Sequence, residues 1–228
     1  VWDLVTGERL AHLKRNDASV WSLAFIDGDA KLLTAAHDWT VAVWNRSQPA
    51  TPEHVFGGHD NAVQAVAYDA EKRRVISGSA DKTIKAWDRS KLSLVRTYRG
   101  HKDFVARLAI SPDGKRYASG GLNGVIRLWS PNTSKRLRRI RAHDGEVTGL
   151  AFLPQDKAGS GKNRLLVSTS ADGRLRIWNT RTKKRLITLG SEGTKVTSLT
   201  ASSDGRRVAT SDAMGRVRVW DVSTVARR

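Results

Sequence analysis

Cysteine is missing altogether from these 228 residues, which excludes disulfides, thiolate metal centres and cysteine nucleophiles. That fits an intracellular, cytoplasmic or nuclear setting. No stretch approaches the roughly 18 apolar residues of a membrane-spanning helix, so no membrane partner is expected. The opening residues Val1, Trp2, Asp3 and Leu4 lack the charged and then apolar regions of a secretory leader. The first residue is Val, so the sequence reads as a piece of a longer chain. Acidic side chains are also in short supply, 22 against 40 Lys and Arg, for a net charge of +18. The deficit is uneven. Residues 1–50 carry 5 basic and 6 acidic side chains, whereas residues 51–228 carry 35 and 16. Asymmetry of this kind points to a polyanionic partner. A hydrophobic content of 39% suffices for a core and excludes global disorder.

What the sequence has in abundance is repetition. Tryptophans at 2, 44, 87, 129, 178 and 220 are spaced by 42, 43, 42, 49 and 42 residues. Each of the last five ends a short alternating run (40–44, 83–87, 125–129, 174–178, 216–220), and alternation between Gly- and Asp-rich breaks reads as a strand. A second strand precedes each run, as at 74–79 and 165–170. Turns such as Asp113-Gly114, Asp172-Gly173 and Asp204-Gly205 separate them. A third strand opens each repeat, at 20–25, 63–68, 105–110, 147–152 and 196–201. Its faces differ: Leu23, Phe25, Val66, Tyr68, Leu150 and Phe152 on one, Ser22, Ala24, Ala65, Ala67, Gly149 and Ala151 on the other. Large-on-small pairing suits a strand held between neighbouring sheets. One such unit cannot bury both faces, so the units are expected in an array around an axis. The chain is all-β.

In this pattern the chain resembles the WD-repeat β-propeller family, whose signature is Gly-His, then Ser or Thr, then Asp, then Trp-Asp. The resemblance covers all 228 residues. Two repeats carry the complete set: His59, Ser77, Asp81 and Trp87, and His143, Ser168, Asp172 and Trp178. It implies a propeller of four-stranded antiparallel blades, with each set joined as a hydrogen-bonded tetrad. The third repeat has His101, Ser119 and Trp129 but Asn123 in place of Asp. The first has Asp38 but Asn16 near the His position; the last has Met214 for Asp and Glu192 near His. Five repeats and a stub are visible, whereas the family commonly closes with seven or eight blades. Either further blades lie outside residues 1–228, or residues 7–13 close a five-bladed ring by supplying the outer strand the last blade lacks.

Catalysis finds little support. His59, His101 and His143 occupy tetrad positions, and His12, His37 and His54 have no ligand-like spacing. No metal, cofactor or small-molecule substrate is expected, and the chain reads as a non-enzyme. Residues 156–163 lack the first glycine of a phosphate loop and the hydroxyl after Lys162, and precede a strand. They read as a long loop that accounts for the 49-residue spacing. Asn45 to Ser47 and Asn132 to Ser134 match a glycosylation pattern by chance. The resemblance instead places residues beside the first Val of each inner strand, and the one before each tetrad Asp, at the channel mouth: Ser19, Trp21 and His37; Ala62, Gln64 and Ala80; Phe104, Ala106 and Leu122; Glu146, Thr148 and Ala171; Lys195, Thr197 and Ala213. Trp21 and Trp39 are the two tryptophans the repeat does not explain, and Trp21 and Phe104 are anchors of the kind that hold a peptide.

Lys85, Arg127, Arg176 and Arg218, two residues before a repeat Trp, belong to the family pattern. The surplus charge lies at Lys135, Arg136, Arg138, Arg139 and Arg141, and at Arg181, Lys183, Lys184 and Arg185. These are expected on outer strands and the turns leading to them, forming a basic rim that Lys72 to Arg74 extends. Charged edge strands resist unwanted pairing, yet nine basic residues with no acid among them exceed that need. The rim suits RNA or an acidic protein; without interleaved aromatics, nucleic-acid contact would be to backbone. The sequence thus reads as a protein-interaction scaffold of a multi-subunit assembly, with an RNA-contacting ribonucleoprotein component as the alternative.

Overall fold

The computed structural model describes residues 1–13, 18–133, 135–154, 165–190 and 193–225. Asn16, Ser134, Glu192 and the loop 156–163 therefore lie outside the described residues.

Strand-forming alternation and turn chemistry act together along the chain. Val, Ile, Leu and Trp at every second position favour a half-buried pleat, and the Asx–Gly pairs reverse it. Gly114 and Gly205 take φ of 56° and 69°, backbone that side-chain-bearing residues rarely adopt. Among the described residues nineteen strands result, in five antiparallel sheets. The first blade is β1 (Val20–Ile26), β2 (Lys31–Ala36), β3 (Val41–Asn45) and β4 (His54–Phe56). The second holds β5 (Val63–Asp69), β6 (Arg74–Ser79), β7 (Ile84–Asp88) and β8 (Ser93–Tyr98). The third holds β9 (Val105–Ile110), β10 (Tyr117–Gly121), β11 (Val125–Trp129) and β12 (Arg136–Arg141). The fourth is β13 (Val147–Phe152), β14 (Leu165–Ser170), β15 (Arg174–Asn179) and β16 (Arg185–Gly190). The fifth has three strands, β17 (Val196–Ala201), β18 (Arg207–Asp212) and β19 (Val217–Asp221). Strand order within each sheet follows the chain, and no helix occurs among the described residues.

Burial lies between blades. The innermost strands meet in series, β1 with β5, β5 with β9, β9 with β13 and β13 with β17. The large face of each packs on the small face of the one before. Val66 and Tyr68 cluster with Ala24, and the Val66 amide donates to Ser22 Oγ at 3.2 Å. A Cβ on Gly149 would stand 2.7 Å from the Leu199 side chain, so that seam requires glycine. Fully buried Trp129, Tyr98, Ile126, Leu128 and Ile177 fill the blade interiors.

The two end blades each leave a face uncovered. Trp21, Leu23 and Phe25 of β1 are 55%, 60% and 50% exposed, as are Val217 and Val219 of β19 at 71% and 65%. Residues 7–13 do not pair with β19: Arg9 bridges instead to Trp2, and the Val1 amino group donates to the Ala11 carbonyl. The five-bladed closure considered from the sequence is therefore not formed.

Candidate functional site

The tetrads differ from blade to blade. In the second, Trp87 Nε1 donates to Ser77 Oγ at 2.9 Å, Ser77 Oγ lies 2.7 Å from His59 Nε2, and His59 Nδ1 lies 2.7 Å from Asp81. Thr83 donates a further bond to Asp81 at 2.7 Å. Burial alone would raise the Asp81 carboxyl, but the bonds from His59 and Thr83 outweigh it and hold its pKa well below the usual range. The fourth blade repeats the chain through Trp178, Ser168, His143 and Asp172, at 2.9, 2.8 and 3.0 Å. Burial depresses the His143 pKa despite Asp172.

In the third blade Trp129, Ser119 and His101 are joined at 2.8 and 2.6 Å. Asn123 instead accepts from the Val125 amide, and His101 Nδ1 has no hydrogen-bond partner. Burial and then the charge of Arg127 push the His101 pKa down to about 3. In the first and fifth blades Trp44 donates to Thr34 and Trp220 to Thr210, each at 2.9 Å. The tetrads of the second and fourth blades are thus hydrogen-bonded throughout, and among the described residues no three His, Asp or Glu side chains converge as a metal site.

The positions that the resemblance assigns to a channel mouth share one geometry. The amides of His37, Ala80, Leu122, Ala171 and Ala213 donate to the carbonyls of Ser19, Ala62, Phe104, Glu146 and Lys195, at 2.9 to 3.2 Å. A β-bulge near the start of every inner strand re-aims the residue after the first Val. The consequence varies. Trp21, His37, Phe104 and Lys195 are exposed, and Gln64, Leu122 and Glu146 are half-buried. Ala62, Ala80, Ala106 and Thr148 are buried and present no side chain to a partner. Lys195 and Glu146 lie 3.3 Å apart and pair across two blades.

Trp39 joins this exposed group. It is 50% exposed and holds φ of 70° in the turn after Asp38, where Gly124, Gly173 and Gly215 stand in later blades. The sequence flagged Trp39 only as surplus; its alignment with those glycines was the available signal.

All nine rim residues, Lys135, Arg136, Arg138, Arg139, Arg141, Arg181, Lys183, Lys184 and Arg185, are exposed. The third-blade arginines run the length of β12, whereas Arg181, Lys183 and Lys184 crowd the turn before β16. The groups meet at one cavity of about 250 Å³ between the blades, lined by Arg138, Arg181, Arg116, Thr180 and two leucines. Lys72 and Arg74 do not extend the rim. Lys72 donates to the Gly114 carbonyl at 2.6 Å and Arg74 to that of Pro131 at 2.9 Å, both in the next blade.

A family model described as the IFT122 first beta-propeller matches residues 1–227. Protein tipD of Dictyostelium discoideum is 31% identical over 97 residues, 42% of this chain and 16% of that protein. Serine-threonine kinase receptor-associated protein of Gallus gallus is 29% identical over 96 residues, covering 42% and 27%. Target of rapamycin complex subunit LST8 of Saccharomyces cerevisiae is 31% identical over 99 residues, covering 43% and 32%. The matched region thus spans less than a third of each of these curated relatives.

Proposed function

Because the chain belongs to the WD-repeat β-propeller family, we propose that it is a non-catalytic interaction scaffold within a multi-subunit assembly, gripping a partner peptide or domain on its top face. The observation that carries this reading is a set of three exposed aromatics, two of which stand at positions the resemblance assigns to a channel mouth. Trp21, Trp39 and Phe104 are 55%, 50% and 38% exposed, and Trp39 is held in a left-handed backbone region where the second blade has Lys82 and the last three have glycine. Large rigid aromatics offer contact area at little entropic cost. Two of the relatives are named for association, one as receptor-associated and one as a complex subunit.

The test is quantitative affinity purification from cell extract with the full chain, Trp21→Ala/Phe104→Ala, and a variant neutralised at Arg138, Arg139, Lys183 and Lys184. A discrete set of proteins lost with the aromatic variant supports the scaffold; recovery of the same set with all three overturns it.

The nine exposed rim cations favour a second reading, an RNA-contacting component of a ribonucleoprotein. Mixed-sequence RNA bound with a steep salt dependence, flattened by neutralising those four residues, would carry it. Weak binding that the rim charges barely alter removes it.

A further inference from the structure

A basic residue sits two positions before the tetrad tryptophan in four blades, and three of these have a partner. Arg176 donates Nη1 to the Ala142 carbonyl and stands 3.4 Å from Asp172. Arg218 lies 3.0 Å from Asp212. Lys85 donates to Thr97 Oγ1 at 3.4 Å. The fourth, Arg127, is only 5% exposed, and its Nε and Nη1 make no hydrogen bond. The residue matching Asp172 in its blade is Asn123, and His101 Nδ1 beside it is also unpartnered.

Two further guanidinium groups share that face of the blade. Arg139 is opposite Arg127 in the ladder between β11 and β12, and Arg136 is opposite Trp129. Nη1 of Arg136 and Nη1 of Arg127 lie 3.6 and 3.9 Å from the point where a Cβ on Gly100 would stand. Gly100 is exposed, so it leaves an approach to the buried guanidinium that any larger residue would narrow. The surrounding field is cationic. After burial, the charges that depress the Arg127 pKa are Arg136 and Arg139, and Arg127 in turn depresses His101.

A buried guanidinium without a counter-charge is costly, and its planar fork matches a carboxylate. We infer that the outer rim of the third blade is a carboxylate-binding site: an Asp or Glu side chain of an acidic partner segment enters past Gly100 and is held by Arg127, Arg136 and Arg139. The molecule's own usage favours carboxylate over nucleic-acid phosphate, since Asp172 and Asp212 face the equivalent arginines. The aromatic rings beside the site, Tyr98 and Trp129, are buried and unavailable for base stacking. The inference rests on the scaffold reading and names the chemistry of a second contact.

The experiment uses the full chain and a labelled hexaglutamate peptide, followed by fluorescence anisotropy and by the Arg127 Nε–H resonance. Arg136→Gln/Arg139→Gln is expected to weaken binding about tenfold or more, the loss of two charge-assisted contacts. Asn123→Asp supplies the counter-charge from within and is expected to weaken it about tenfold. Lys91→Gln, at an exposed second-blade turn, changes the net charge by the same amount outside the site and is expected to cost less than about twofold. Equal losses for Asn123→Asp and Lys91→Gln would reduce the effect to bulk charge and overturn the site. So would absence of peptide binding, or a mixed-sequence RNA that outcompetes the peptide and depends on the same arginines. Each of these leaves the scaffold reading standing if Trp21→Ala/Phe104→Ala still loses its partners.

Discussion

The Tyr117 hydroxyl donates to the Asp69 carboxylate at 2.6 Å across the seam between the second and third blades, with both side chains buried. Lys72 stands 3.4 Å from the same carboxylate and also bonds the Gly114 carbonyl, so one buried acid ties strand ends of two sheets. Burial and the Asp69 bond push the Tyr117 pKa up. Tyr117→Phe leaves that carboxylate short of a donor and is expected to destabilise by about 1–3 kcal/mol. Urea unfolding measures it, and a change below about 0.5 kcal/mol would show that the seam does not depend on this bond.

Gly149→Ala forces a methyl against Leu199 and Thr169, whose atoms stand 2.7 and 2.5 Å from its Cβ position. Overpacking of this kind costs about 1–3 kcal/mol. The Tm of the variant should fall, and Gly149→Ala/Leu199→Ala should recover less than the single change loses, because the second substitution opens a cavity. Gly57→Ala, with nothing within 4 Å, is the neutral control.

Stability should decline on mild acidification because of His101. Its folded pKa, about 3, lies below the ordinary value of 6.5, so the unfolded chain takes the proton first. The contribution is complete above about pH 6.5 and is lost as pH falls toward 3, on the order of 1–2 kcal/mol of it between pH 7 and 5. His143 is shifted in the same direction and adds to the slope. Asp81 and Asp172, both depressed, contribute the opposite residue type but the same sign, in a separate window below about pH 4. Asn123→Asp gives His101 the partner that His143 has and should flatten the curve between pH 7 and 5. An unchanged slope in that variant would remove His101 as its source.

Trp39→Gly relieves a left-handed tryptophan and is expected to shift stability by no more than about 1 kcal/mol in either direction. If Trp39 serves the top face, partner capture falls while the unfolding curve stays in place. Retained capture would assign that face to Trp21 and Phe104 alone.

Much of this architecture was legible because its causes are local. The alternation ending at Trp44, Trp87, Trp129, Trp178 and Trp220, with the turns between, places strands where they occur, and the large and small faces of 63–68 and 147–152 foretell the stacking. Less legible was what depends on the neighbouring blade. Lys72 and Arg74 look like rim cations in sequence, yet each spends its charge on a carbonyl of the next sheet. Ala106 and Thr148 fall at positions the resemblance assigns to the mouth but are buried. Gln64 and Trp21 share a position and differ in exposure, because the inner strand of the second blade packs on that of the first, whereas no described blade covers the large face of the first. The orphaned donors of Arg127 required three dimensions, although Asn123 for Asp was the visible sign.

The outer strands β4, β8, β12 and β16 have a consequence for how such a chain can change. Each is followed within a few residues by the innermost strand of the next blade, so the unit copied in sequence and the unit packed in space are out of phase by one strand. A duplication running from one tryptophan to the next therefore finishes one sheet and begins another. Every internal junction is spliced by hydrogen bonds, and inheritance by whole repeats preserves pairing even where the tetrads have decayed.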